Sequence, residues 1–164
     1  MSRKKRKNVI LAIITGVIIS LVIGYNYSAE QTRLKGFNFG NNLQIIQEDL
    51  KKIEMDFQSE IVIFQEGESS LEEFLTYSED HILKIEELIL RYDDLETPTA
   101  FEDSVELFKL SSQSQLEADK EIIQWIRNND EGAKIRSDAH MQDAFEYELA
   151  ALAKFNSVKA GIQP

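Results

Sequence analysis

Because the chain contains no cysteine, side-chain nitrogen or thiolate ligands for a metal reduce to two histidines, His81 and His140. Without thiols there is no thiolate nucleophile, no cysteine zinc site and no disulfide scaffold. A carboxylate-bridged di-iron bundle needs Glu-x-x-His pairs, since that spacing turns both ligands onto one helical face. Ser78 stands three residues before His81 and Ser137 three before His140, so neither meets the requirement. His81 flanks an apolar stripe between Ser78 and Ile85 and is expected to be a boundary histidine bonded locally, and His140 beside Ala139 is read the same way. A zinc site would have to recruit acidic residues, and the spacing singles none out.

Other constellations are weaker still. A haem held by methionine on the first helix and histidine on the last would use Met55 and His140, whose heights differ by roughly 12 Å in antiparallel helices. Met55 also turns away from the stripe marked by Ile53, so no cofactor is expected. The acid pairs Glu72 and Glu73, Glu86 and Glu87, and Asp93 and Asp94 fall on polar faces or in turns, where nothing drives their pKa values apart. Residues 128–132 lack the alternating ligands and distal glutamate of a calcium loop and read as a turn. No Gly-rich phosphate loop, His-Glu-x-x-His or Gly-x-Ser-x-Gly motif occurs, and no enzymatic activity is expected. Two features remain. Ser78, His81, Ser112 and Gln142 interrupt otherwise apolar stripes and form a candidate ligand pocket, while Ile122 and Trp125 form a candidate partner patch or a wide core-facing stripe.

The elements that would position these residues follow from the hydrophobic pattern. From Leu43 onward, apolar side chains recur every three or four residues in four blocks. The first runs Leu43, Ile46, Leu50, Ile53, Phe57, Ile61 and Phe64 and stops at the polar stretch 65–70. The second opens on Ser70 and Glu73, spaced as a capping box, and ends near Pro98. Thr99 and Glu102 have the same relation at the head of the third, which continues through Phe108, Leu116, Ile123 and Ile126. The fourth places Ile135, Ala139, Gln142, Phe145, Leu149, Leu152, Phe155 and Val158 on one stripe. Four such helices with short connections bury their stripes by packing antiparallel, which predicts an all-α, up-down-up-down four-helix bundle over residues 43–160.

The N-terminus carries a different pattern. Arg3, Lys4, Lys5, Arg6 and Lys7 precede an uncharged apolar run from Val9, closed by Tyr25 and Tyr27. As a helix, residues 9–27 would extend roughly 28 Å, close to the thickness of a hydrocarbon core. The run is long for a signal-peptide core, and Tyr27 stands where a cleavage site wants a small residue. A single transmembrane signal-anchor helix is therefore expected at 9–27, behind a cytoplasmic basic tail at 1–8 and ahead of a hinge at 28–42 that contains Phe37 and Phe39. This makes the lipid bilayer a partner and puts the bundle outside the cell membrane.

After the basic tail, thirteen basic residues face all twenty-nine acidic ones, a balance near −16. Such a field repels nucleic acid, which is set aside as a partner. The architecture is similar at fold level to the extracytoplasmic four-helix sensing modules of chemoreceptors, a likeness that rests on no motif. The expectation is a non-catalytic, membrane-anchored interaction or accessory subunit bound to a membrane or extracytoplasmic protein. The alternative is a small-ligand or metal-ion binding four-helix module.

Overall fold

The computed structural model describes residue 36 and residues 38–162. The packed body of the four helices is the compact unit that begins at Phe39. The first, α1, is helical over residues 38–65, so the segment 38–42 read as the end of a hinge is already helical. Its apolar spacing turns Phe39, Leu43, Ile46, Phe57 and Ile61 inward, where all are buried. Gly67, in the left-handed region at φ 77°, closes the helix. That conformation lets the N–H groups of Gly67 and Glu68 bond back to the Phe64 and Ile63 carbonyls, each at 3.0 Å.

Helix α2, Leu71–Asp93, begins with the capping box expected at Ser70 and Glu73. The Glu73 N–H donates to Ser70 Oγ at 3.2 Å, and the Ser70 N–H donates to Glu73 Oε2 at 2.8 Å. Helix α3, Glu102–Asn128, starts differently. A single 3₁₀ turn, Thr99–Phe101, leads into it, Phe101 takes the N-cap position, and no side chain caps the end. The box expected at Thr99 and Glu102 is thus replaced by a 3₁₀ entry. At the other end Asn129 adopts φ 53°, and Asp130 Oδ1 accepts the Gly132 N–H at 2.9 Å, opening α4, Glu131–Ile162.

Three buried clusters show how the helices run. At one end Phe39, Leu43 and Ile46 of α1 meet Leu88 and Tyr92 of α2, Val105 and Phe108 of α3, and Ala151 of α4. At the other, Phe57 and Ile61 meet Phe74 and Ile123. Between them lie Ile85, Ile89 and Leu116. The start of α1 therefore lies beside the end of α2, the start of α3 and the later part of α4, and successive helices alternate in direction.

Helix α4 departs from the expected stripe. Ile135 is 70% exposed and Phe145 59%, and Leu149 and Leu152 also face outward, while Ala133, Ser137, Ala144 and Ala151 are buried. Small inward residues allow close approach to α3, close enough for Ser111 Oγ to donate to the Ala144 carbonyl at 2.8 Å. Side-chain size, more than hydrophobicity, sets the inward face of this helix.

The membrane assignment is corrected. Among the described residues no helix is long and apolar enough to cross a membrane, and the segment expected to do so, 9–27, lies outside them together with the tail 1–8. The described helices carry charge along their outer faces, as with Glu72, Glu79, Asp80, Glu86 and Glu87 on α2, which hydrocarbon would not solvate. The fold is an all-α four-helix bundle. The spanning helix, the bilayer as partner and the single-pass location lose their support with this correction.

Candidate metal centre

Midway along the bundle, three helices each turn one titratable side chain into the interior. Glu54 of α1 lies four residues after Leu50 and three before Phe57. His81 of α2 lies between Ser78 and Ile85, and Asp119 of α3 between Leu116 and Ile123. Each therefore occupies a stripe position that an apolar residue would ordinarily take. One ligand atom from each of the three comes within 4.8 Å of the others. His81 is 2% exposed and Asp119 1%, with Glu54 partly buried.

The contacts within this group are specific. His81 Nε2 and Asp119 Oδ2 are 2.9 Å apart, and Gln115 Nε2 donates to Glu54 Oε2 at 2.9 Å. Gln115 and Asp119 are one turn apart on α3, so one helical face supplies both. The Phe57 ring stacks on the imidazole at 3.9 Å between centroids and 11° between planes, which fixes the ring's orientation. Two buried atoms of this group, His81 Nδ1 and Glu54 Oε1, have no hydrogen-bond partner.

Burial sets the electrostatics. It holds the His81 imidazole neutral, with its pKa down to about 4. The Glu54 carboxyl is driven well above the ordinary carboxylate range by burial first and by the neighbouring Asp119 charge second. Asp119 is raised too, again by burial. Two carboxyl groups brought this close in a buried setting resist ionising together. At neutral pH the ion-free cluster thus retains protons that solvated carboxylates would have lost.

Comparison with known protein families, with curated proteins and with solved structures gives no match. Function has to be argued from the site itself.

Of the residues singled out from sequence, only His81 reaches this cluster. Its bond runs across the bundle to α3 rather than locally. Ser78 is buried with its hydroxyl returned to the Phe74 carbonyl at 2.7 Å. Ser112 is buried nearer the opposite end, 3.0 Å from the Tyr92 hydroxyl. Gln142 is exposed and bonds only Glu146, so these four residues do not converge on one cavity. Ile122 packs against the cluster of Phe57 and Phe74, and Trp125 is half-buried with Lys134 over its ring at 4.7 Å. Met55 is exposed.

The expectation of a non-catalytic anchored accessory protein rested on a shortage of convergent polar chemistry. Glu54, His81 and Asp119 are convergent polar chemistry, and they overturn it. The alternative, ligand or metal-ion binding, agrees better with the structure.

Proposed function

We propose that this protein binds a divalent transition-metal ion inside its helical bundle through Glu54, His81 and Asp119. The observation that carries the reading is the meeting of one imidazole and two carboxylates from three helices within 4.8 Å, in an interior that leaves His81 Nδ1 and Glu54 Oε1 without partners. Burying three ionisable groups costs several kcal/mol when nothing compensates them. A cation offers that compensation, and a neutral imidazole is the form in which histidine ligates.

The donor set narrows the ion. An imidazole favours zinc, iron, nickel or copper, carboxylates admit manganese, and magnesium or calcium would use oxygen ligands alone. Three protein ligands leave a coordination position for water or a small ligand, as open zinc sites do. Gln115 supports the arrangement by holding one oxygen of Glu54.

The test is calorimetric titration of the full-length chain, stripped with chelator, with zinc, manganese, magnesium and calcium. Zinc or manganese should bind at one ion per chain and tighter than magnesium, and Glu54→Gln and Asp119→Asn should each lower the affinity by tenfold or more. If both variants bind as the wild type does, exposed carboxylates hold the ion and the assignment is wrong.

A further inference from the structure

Two clefts approach the cluster from opposite sides of α1, and they differ in charge. The α1–α2 cleft, about 370 Å³, reaches His81. Its lining opposes Asp49, Asp56 and Glu87 with Lys52, Lys84 and Arg91, and Arg91 is bridged to Asp49 at 2.7 Å. That wall has no net charge. The second cleft, about 390 Å³, lies between α1 and α4 over α3 and reaches Glu54 and Gln115. Glu48, Glu54 and Glu148 line it against the single cation Lys51, and its remaining polar lining is the uncharged Gln44, Gln47, Ser111 and Gln115.

We infer that the metal ion reaches its ligands through the α1–α4 cleft, drawn by Glu48 and Glu148 and received first by Glu54. The inference rests on the metal-binding reading above. A cleft with an excess of one sign and low-dielectric walls focuses the field and raises the local concentration of counter-ions, whereas a wall of balanced charge does neither. Glu54 belongs both to this cleft and to the ligand cluster, so an ion held at its carboxylate has only to advance to His81 and Asp119. Amide and hydroxyl oxygens along the way can replace part of the hydration shell that the ion sheds. On the other side, an ion meets Lys52, Lys84 and Arg91, with the Phe57 ring already covering a face of the imidazole.

The experiment compares two double charge reversals that change net charge equally. Glu48→Lys with Glu148→Lys alters the α1–α4 cleft, and Asp56→Lys with Glu87→Lys alters the α1–α2 cleft. All four residues are exposed, so the variants should melt as the wild type does, which circular dichroism checks. Association of zinc with the full-length, ion-free chain is followed by stopped-flow with a competing fluorescent chelator at low ionic strength. The first variant should associate on the order of tenfold more slowly and lose that deficit at high salt, while its dissociation rate and the second variant stay near wild type. Equal slowing in both variants, or greater slowing in the second, overturns the route but leaves the site standing. Failure of the wild type to bind zinc at one ion per chain overturns both.

Discussion

Raising the pH should destabilise the ion-free protein across a range in which most proteins hold steady or gain. A raised folded-state pKa on a carboxyl means that the native state holds a proton the unfolded chain has released. Stability is then full below the ordinary carboxyl value, 4.5 for glutamate and 3.8 for aspartate, and declines as pH climbs towards the raised folded value. His81 acts in the opposite sense. Its folded pKa is lowered from 6.5 to about 4, so between those values the unfolded chain holds the extra proton and stability rises with pH. Between about pH 5 and 6 the histidine offsets part of the carboxyls' loss, each uncompensated proton being equivalent to about 1.4 kcal/mol per pH unit. Above 6.5 the histidine no longer offsets them, and the slope steepens until the folded pair ionises. Urea denaturation of chelator-treated, full-length protein at half-unit intervals from pH 5 to 8 measures this. Glu54→Gln serves as the reference, because it removes one titrating group while leaving the rest of the surface unchanged. The difference between wild type and variant should fall with rising pH. A difference that is flat, or that rises, would mean the carboxyls are solvated and unprotonated, and the electrostatic account of the cluster would fail.

Further outcomes concern the frame around the site. Phe57→Ala should cost about 3–5 kcal/mol in urea denaturation, since the ring is fully buried and covers the His81 imidazole. Phe145→Ala on the outer face of α4 should shift stability by less than about 0.5 kcal/mol, whereas Ala144→Leu one residue away should destabilise by about 1–3 kcal/mol through overpacking; a reversed order in thermal melts would put the wrong face of α4 inward. Ser70→Ala should lose about 1 kcal/mol of stability, again in urea denaturation, with the side-chain arm of the α2 capping box.

Periodicity made much of this fold legible. Leu43, Ile46, Phe57 and Ile61 on α1, Phe74 and Ile85 on α2, and Val105, Phe108 and Ile123 on α3 are buried where the three- and four-residue spacing puts them. It misled on α4 because it weighs how apolar a residue is and not how near two helices come. A close contact with α3 selects Ala133, Ser137 and Ala144, which leaves the larger Ile135, Phe145 and Leu149 outside. The cluster was half visible. His81 stood out by its type, but Glu54 and Asp119 were hidden among many acidic residues. The usable signal was positional: Asp119 fills a gap in the apolar stripe between Leu116 and Ile123, and Glu54 stands beside Ile53 one turn after Leu50. That Glu54, His81 and Asp119 lie at one height could not be read locally, because it depends on the register set by the connections at Gly67 and at Thr99–Phe101.

The placement of the cluster on three different helices makes the ion a reversible staple. A chain without cysteine has no covalent bond joining distant parts of its backbone. One ion on Glu54, His81 and Asp119 would tie α1 to α2 and α2 to α3, closing two long loops, the second between residues 38 positions apart. In the loop-closure view, a tie of that length removes conformational freedom from the unfolded chain as a disulfide would. Unlike a disulfide, it is set by the free concentration of the ion and released by dilution or chelation, with no redox chemistry. Helix α4 contributes no ligand, and it is joined to α3 by its own short turn and the close contact at Ala144. The tie thus acts on the first three helices and leaves the fourth to its neighbour.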